Sequence, residues 1–299
     1  MFAKEILCHG FGSHPCRNRG YRLGRVDLSI IRDPATQIPK LPGTSLSGVA
    51  RSYTAMQSPG KFSCAGKGRE RGEDHCGSYD PACPVCIPYG FSKGLGKSLQ
   101  GMAQFFDAQI LFFPIATMLG TVWVTSPQSL EEIGSFKVAE DKFHPLGEGI
   151  AVNPLNFGWL MLERDEKATG CLSDLLPEIP DIIKNTAVLL HDGIFSKVIN
   201  SNLEVRTSVS IDPSTGAAEE GALFTYEAIP RGTVFYFEVV YNHPKFFKVE
   251  GNIIKGEGNT EIGIEWVKVQ VEKGLKLLEY LGIGGMNTRG MGRLRVLNL

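Results

Sequence analysis

Hydrophobic and polar residues alternate in four stretches, each bounded by glycine, proline or polar turn residues. Together with their β-branched content, this alternation predicts strands at residues 105–115, 120–125, 203–211 and 233–241. Apolar residues recur with helical spacing at 45–56, 181–199 and 262–281, and the last of these predicted helices ends just before three glycines. Because the predicted strands lie far apart and their connections are long, we expect an α+β fold with an antiparallel sheet rather than a doubly wound parallel sheet.

Composition places the chain among ordinary folded proteins. It has 299 residues, of which 42% are hydrophobic and 21% charged, enough for one large domain or two small ones. The N-terminal residues are too soon interrupted by polar side chains to form a signal peptide, and no apolar run has membrane-spanning length. We therefore expect a cytoplasmic protein that does not enter a membrane.

Charge is distributed unevenly along the chain. The net charge is only -1, but residues 1–71 carry twelve Lys and Arg against four acidic residues, and residues 281–299 add three arginines and no acid. The acidic residues that compensate lie in the middle of the chain. This polarity suits a protein that binds an anion such as a nucleic acid through one face, although an uneven solvated surface would give the same counts.

Four of the seven cysteines fall within 23 residues, in a stretch with few apolar side chains. Cys83 and Cys86 form a CxxC pair, and Cys64, Cys76 and His75 are the other candidate ligands. Such a pattern predicts a structural zinc site, which would order a segment that has too few apolar side chains to form a core. Cys64 and His75 compete to be the fourth ligand. A redox CxxC normally opens a helix, whereas the prolines around this pair predict a turn.

The glycine-rich segment at 282–293 is not a dinucleotide-binding fingerprint, because it follows a predicted helix and precedes a terminal strand. Its glycine amides, flanked by Arg289 and Arg293, suit close approach to a phosphodiester backbone; a plain structural turn is the alternative. In a second such segment, 41–51, Thr44 or Ser45 is predicted to cap a helix whose free amides face an anion. A capped helix with no ligand is equally compatible with that segment.

Taken together, several motifs resemble the RAMP superfamily of CRISPR proteins. They are Val-Asp-Leu at 26–28, Pro-Gly-Thr-Ser-Leu-Ser-Gly at 42–48 with Arg51, Cys-Pro-Val-Cys at 83–86, and the terminal Gly-Gly-x4-Gly-x-Gly pattern. The segments 107–125 and 206–227 narrow the resemblance to the fourth Cmr subunit, the backbone of the type III-B effector complex. One departure is Ser47, where that family often has lysine.

The resemblance implies an RRM-like (ferredoxin-like) palm in a single RAMP domain spanning 1–299. It also implies a zinc-knuckle insertion at 60–90 and a thumb β-hairpin at about 206–230. Copies of such a subunit would stack along a guide crRNA together with other Cmr-complex subunits, and would cleave complementary single-stranded target RNA at regular intervals.

Site residues follow from the same resemblance. It implies that Asp27 is catalytic, with Tyr226 and Glu227 as possible support, and that cleavage needs a divalent cation such as Mg²⁺. The predicted RNA-binding residues, in chain order, are Arg17, Arg19, Arg22, Arg25, Ser45, Arg51, Gly284, Gly285, Arg289, Gly290 and Arg293.

RNA supplies its own nucleophile, the 2′-OH, so cleavage requires in-line geometry, removal of one proton and stabilisation of negative charge on the phosphate. Asp27 could act as the base or hold the metal. Two alternatives stay open: a scaffold that binds guide RNA without cutting, and a stand-alone zinc enzyme. The second lacks support, since the chain shows no Ser-His-Asp order, Walker lysine or HExxH pair.

Overall fold

A computed structural model describes residues 26–66, 75–92, 98–170, 172, 176–219 and 221–299, and, as a strand only, residues 2–10. The described helices are α1 (Gly43–Met56), α2 (Cys86–Tyr89), α3 (Asp181–Asn185), α4 (Asp192–Ser201), α5 (Ile264–Lys276) and α6 (Leu278–Leu281). Short 3₁₀ turns lie at Phe62–Ala65, Gln128–Leu130, Pro244–Phe246, Glu257–Asn259 and Asn287–Arg289. None of the helices in these ranges is long and apolar enough to cross a lipid bilayer.

The described strands follow in chain order: β1 (Phe2–Gly10), β2 (Lys40–Leu41), β3 (Phe91–Ser92), β4 (Ser98–Leu99), β5 (Ala103–Phe105), β6 (Ala108–Thr117), β7 (Gly120–Thr125), β8 (Lys142–Pro145), β9 (Leu155–Phe157), β10 (Leu160–Arg164), β11 (Ala187–Leu190), β12 (Glu204–Ser208), β13 (Phe224–Ala228), β14 (Val234–Tyr241), β15 (Lys248–Val249), β16 (Asn252–Ile253) and β17 (Leu294–Val296).

One large sheet organises the fold. Within the described ranges it has eleven strands, in the order β17-β1-β14-β6-β7-β11-β8-β10-β9, with β2 beside β6 and β5 beside β14. Most neighbours are antiparallel, but β11 runs parallel to β7, and β10 runs parallel to β8. The predicted α+β class is confirmed, whereas the purely antiparallel sheet was wrong, because β11 enters the sheet from α3 rather than from a hairpin.

Hydrophobic side chains cover both faces of the central strands. On β6, Ile110 and Phe113 belong to the larger core, while Leu111 and Phe112 belong to a second core on the opposite face. The larger core packs the sheet against α1, α4 and α5. Strands buried on both faces lose the polar half of the alternating pattern, which makes them hard to distinguish from helices by sequence.

Three predicted elements were corrected by the structure. The helix predicted at 181–199 is α3, β11 and α4, because 187–190 form an apolar strand that alternates between the two cores. The strand predicted at 105–115 is interrupted at Asp107, whose carboxylate accepts a hydrogen bond from Gly43 N (2.8 Å) and pairs with Lys40 (2.7 Å). The N-cap of α1 is Pro42, and neither Thr44 nor Ser45 caps the helix.

Helices α1 and α5 pack closely against each other at Gly274. The Thr54 hydroxyl donates to the Gln270 carbonyl (3.0 Å), and the Tyr53 hydroxyl donates to the Gly282 carbonyl (2.5 Å). A Cβ at Gly274 would lie against the Ala50 carbonyl oxygen and 2.5 Å from Thr54 Oγ1. Close backbone approach therefore requires glycine at this position of α5.

Gly274→Ala is expected to destabilise the protein by about 1–3 kcal/mol, because the steric conflict outweighs the roughly 1 kcal/mol gained in helix propensity. Gly48→Ala is the matched control, since Gly48 is exposed on α1 and a Cβ there meets no atom within 4 Å. The control should be neutral or stabilising by about 0.5–1 kcal/mol. Urea denaturation of both variants measures the difference, and equal stabilities would contradict the packing argument.

Candidate nucleic-acid interface and metal centre

The segment that begins at Asp27 lies along the free edge of β13. The Thr225 carbonyl accepts hydrogen bonds from Asp27 N and Leu28 N (both 3.1 Å), and Glu227 N donates to the Leu28 carbonyl (2.9 Å). Leu28 forms a parallel bridge with Tyr226. Backbone pairing therefore brings together the three residues that the resemblance links to catalysis, Asp27, Tyr226 and Glu227.

The Asp27 carboxylate is exposed, and among the described residues Thr225 is its hydrogen-bond partner. Its Oδ2 accepts hydrogen bonds from Thr225 N (2.7 Å) and from the Thr225 hydroxyl (3.0 Å). These bonds, first the backbone one and then the hydroxyl one, lower the pKa of Asp27 below its ordinary value, because they stabilise the ionised form. Asp27 is consequently a fixed negative charge at neutral pH.

Glu227 has different partners from Asp27. Its Oε2 accepts from Ile30 N (3.0 Å), and its Oε1 pairs with Arg32 Nη2 (2.8 Å), with both side chains largely buried. Arg32 also donates to the Asn200 amide oxygen on α4 (2.7 Å). Tyr226 is buried beside the ring of Phe224. In this arrangement Glu227 braces the segment that follows Asp27.

Strands β12 and β13 form an antiparallel hairpin whose distal part is exposed. The chain reverses at residues 212–217, where the Asp212 carboxylate accepts from Ser214 N (2.8 Å) and from the Ser214 hydroxyl (2.7 Å). Apolar side chains that face solvent on this hairpin and its extensions are Val205, Val209, Ile211 and Leu223. An exposed hairpin with apolar side chains can contact unstacked bases or a partner surface.

The glycine-rich segment is a surface loop with anchored ends. Ile283 N donates to the Gly292 carbonyl (2.8 Å), and Gly282, Ile283 and Gly292 are buried. Gly292 has φ +76, and a Cβ there would collide with the Ile283 carbonyl. All five residues of this segment that are predicted to bind RNA are exposed: Gly284, Gly285, Arg289 and Gly290 lie between these ends, and Arg293 directly follows Gly292.

Arg289 connects this loop to the hairpin. Its Nη1 donates to the Ser208 hydroxyl on β12 (2.9 Å). Ser208 pairs with Phe224, and the adjacent pair is Thr207 with Thr225, the residue that holds Asp27. The glycine loop therefore contacts the hairpin from the side of β12, and the Asp27 segment contacts it from the side of β13, at adjacent residue pairs. The two strands lie about 4.8 Å apart.

The four cysteines form a cluster. Sulfur atoms of Cys64, Cys76, Cys83 and Cys86 all lie within 4.8 Å of one another, and those of Cys76 and Cys86 are 3.6 Å apart. Four thiolates bound tetrahedrally at about 2.3 Å from zinc have sulfurs roughly 3.8 Å apart, so the spacing and the donor set fit a tetrahedral metal ion. Cys86 N donates to Cys83 Sγ (3.4 Å), as expected in a CxxC knuckle.

The thiols influence one another's ionisation. Hydrogen bonds from Cys83 and Cys86 lower the pKa of Cys76, while the same contact with Cys76 raises the pKa of Cys83 to about 11. These opposite shifts follow from the close packing of the sulfur atoms of Cys76, Cys83 and Cys86. The predicted turn at the CxxC pair was only partly right, because Cys86 opens the one-turn helix α2.

His75 lies beside the cluster, in contact with α1. Its Nδ1 is 3.0 Å from Arg51 Nη2, and the Arg51 guanidinium also donates to the Cys64 carbonyl (3.0 Å). The structure therefore groups Cys64, not His75, with the other three sulfurs. Arg51 joins α1 to the cysteine segment, and its predicted contact with RNA stays a prediction.

Other predicted site residues are distributed unevenly over the structure. Ser45 lies half-buried in the first turn of α1, whose leading amide, Gly43 N, is already bound by Asp107. Four of the predicted RNA-binding residues lie outside the described residues, namely Arg17, Arg19, Arg22 and Arg25. Sequence reasoning did not single out Thr225, Arg32 or Asn200 individually, since no local pattern reveals a partner almost 200 positions away.

Comparison with known proteins shows the family of the chain. The sequence profile of the RAMP superfamily matches residues 10–295. The chain is 25% identical over 297 residues to the CRISPR system Cmr endoribonuclease Cmr4 of Pyrococcus furiosus, covering 87% of this chain and 92% of that protein.

Solved structures share the fold at low sequence identity. The cryo-EM structure of type III-B Cmr-beta in the apo state matches with a TM-score of 0.65 and 18% identity, covering 99% of this chain and 98% of that chain. The crystal structure of oligomeric Cmr4 from Pyrococcus furiosus matches with a TM-score of 0.56 and 18% identity, covering 99% of each chain. With the superfamily profile spanning nearly all its residues, the chain belongs to the RAMP superfamily.

Proposed function

We propose that this chain is a repeated backbone subunit of a type III-B CRISPR effector complex in the prokaryotic cytoplasm. In that role it binds guide crRNA and cleaves complementary target RNA. The observation that carries the proposal is a convergence at the turn-side end of the β12–β13 ladder. An ionised carboxylate, Asp27, and the glycine loop that carries Arg289 contact adjacent residue pairs of the hairpin there.

The relatives support this role. Cmr4 of Pyrococcus furiosus is named an endoribonuclease, and type III-B Cmr-beta has been solved bound to cognate target RNA, with a TM-score of 0.62 to this chain. In the proposed arrangement the partners are guide crRNA, single-stranded target RNA, further copies of this chain and other subunits of the complex. Repetition of the subunit would space the cuts at regular intervals.

In the proposed domain arrangement, the chain is one RAMP domain with an RRM-like palm. The segment at 60–90 is an insertion ordered by metal, and the hairpin at about 206–230 is the thumb. Exposed apolar residues such as Ile211 and Leu223 suit this assignment, since an apolar wedge can unstack adjacent nucleotides. An unstacked nucleotide reaches the in-line geometry that a regular duplex prevents.

The lowered pKa of Asp27 separates two possible roles for its carboxylate. A general base works best when its pKa is near the working pH, whereas Thr225 keeps Asp27 well below that range. We therefore propose that Asp27 contributes negative charge, as a ligand for a divalent cation such as Mg²⁺ or as an orienting acceptor for RNA. When bound, such a cation would supply charge stabilisation at the scissile phosphate.

We further propose that the exposed loop residues contact the phosphate backbone of RNA. Gly284, Gly285 and Gly290 are exposed and carry no side chain, so an RNA backbone can approach the loop closely there, and Arg289 and Arg293 add positive charge. The same role is proposed for the basic residues that precede Asp27, namely Arg17, Arg19, Arg22 and Arg25. Ser45 and Arg51, both half-buried, are proposed to contact RNA as well.

Asp27→Ala and Asp27→Asn are expected to abolish the regularly spaced cuts by the reconstituted, guide-loaded complex, because each removes the negative charge. Asp181→Asn is the control, an exposed aspartate on α3. Cleavage of labelled complementary RNA with Mg²⁺ is the measurement, with assembly and target binding checked in parallel. Undiminished cutting by assembled Asp27 variants would make the chain a scaffold and place the nuclease elsewhere.

The cysteine cluster is proposed to bind one structural zinc ion through Cys64, Cys76, Cys83 and Cys86. Purified protein is expected to contain about one zinc per chain, and Cys64→Ser should lose it, whereas His75→Gln should keep it. Elemental analysis and the absorption of the cobalt-substituted protein measure occupancy and sulfur count. Retention of metal by Cys64→Ser and its loss from His75→Gln would instead establish a three-cysteine, one-histidine site.

Glu227 is proposed to be structural rather than catalytic. Glu227→Ala should destabilise the protein by about 2–4 kcal/mol, because it leaves Arg32 and the Ile30 amide without their carboxylate partner. Glu204→Ala, which breaks the more exposed pair with Arg206 on the same hairpin, should cost less than about 1 kcal/mol. Denaturant titration of both variants provides the test; a Glu227→Ala variant of unchanged stability but lost cleavage would point to a catalytic role.

A further inference from the structure

Thr225 makes a closed set of hydrogen bonds with Asp27. Its amide and hydroxyl both donate to Asp27 Oδ2 (2.7 and 3.0 Å), while its carbonyl and hydroxyl oxygens both accept from Asp27 N (3.1 and 3.2 Å). The hydroxyl therefore bridges the backbone and the carboxylate of the same residue. Oδ1 accepts no hydrogen bond from any other described residue.

Such a clamp matters because Asp27 is exposed. Solvent-facing carboxylates ordinarily exchange between rotamers, and burial does nothing to restrict this one. Thr225, by contrast, has a β-branched side chain with few rotamers and sits on β13 in register with Thr207 on β12. Thr225 thereby fixes the orientation of the Asp27 carboxylate relative to the hairpin.

We propose that Thr225 is a positioning residue for the cleavage reaction, orienting the Asp27 carboxylate so that Oδ2 is held and Oδ1 points toward the bound RNA or its cation. The proposal rests on the proposed function of Asp27. It adds that the Asp27 carboxylate moves together with the thumb hairpin. A movement of β13 would carry Asp27 with it through the hydrogen bonds between Thr225 and Asp27.

The hydroxyl also affects ionisation. Both hydrogen bonds to Oδ2 favour the carboxylate, and they are the two largest causes of the lowered pKa of Asp27. Nearby charged groups on the same two elements are Glu227 and Arg32, which pair with each other. Loss of the hydroxyl removes one of the two donors that hold Oδ2, so the carboxylate should rotate more freely away from this orientation.

Thr225→Val tests the hydroxyl with almost unchanged shape, and Thr225→Ser restores the hydroxyl without the methyl group. In guide-loaded complex, single-turnover cleavage by Thr225→Val is expected to fall by roughly 10-fold, the lower end of the range for losing one hydrogen bond to a charged group. Target-binding affinity should stay within about 2-fold. Thr225→Ser should recover most of the rate, because it restores the hydroxyl.

Thr207→Val is the matched control, because it removes the hydroxyl of the cross-strand partner on the same hairpin. A Thr225→Val complex with wild-type rate, measured beside an inactive Asp27→Asn complex, would overturn the positioning role and leave the proposed function intact. Activity that survives Asp27→Asn would instead overturn the proposed function. Equal losses in Thr225→Val and Thr207→Val would show a general effect on the hairpin and also count against the clamp.

Discussion

The backbone pairing between β13 and the segment from Asp27 to Ile30 joins parts of the chain almost two hundred residues apart, and the candidate site depends on it. Parallel pairing places Thr225 beside Asp27 and Tyr226 beside Leu28, while the Glu227 carboxylate reaches Ile30 N. A one-residue shift in this register would exchange which side chains face each other. The braced pair of Arg32 and Glu227, with its link to α4, holds the segment in one register.

The cysteine cluster fixes a second segment of the chain, one with few buried apolar side chains. The cysteine segment is rich in glycine, proline and charge, yet three of its four clustered cysteines are buried. Arg51 connects that cluster to α1, and Tyr53, two positions further along the same helix, holds the Gly282 carbonyl at the start of the glycine loop. Helix α1 therefore couples the candidate metal centre to the loop proposed to bind phosphates. Ordering by metal would substitute for the apolar contacts that this segment lacks.

Elements with one polar face could be predicted from the sequence. Elements and site residues whose structure depends on tertiary contacts could not. Residues 120–125 and 233–241 alternate, and they form β7 and β14 within one residue of the predicted bounds. Residues 187–190 are apolar on both faces, so their period was hidden and β11 was missed. The cysteine cluster could be predicted because its ligands are close in sequence. Thr225 could not, because its role depends on a partner brought to it by the fold. The N-cap of α1 was misassigned because Asp107, in the connection between β5 and β6, supplies the acceptor.

The contacts of Asp27 also constrain the proposed cleavage chemistry. A carboxylate whose pKa is lowered by two donors from Thr225 is a weak proton acceptor at neutral pH. What the chain would offer with it is negative charge, held at a defined position relative to an exposed hairpin. If unstacking by the hairpin supplies in-line geometry and the carboxylate supplies only orientation, the rate should depend more on the position of Asp27 than on its basicity. Catalysis by positioning would explain why backbone pairing, together with the Arg32–Glu227 pair that holds the same segment, is sufficient to build the site.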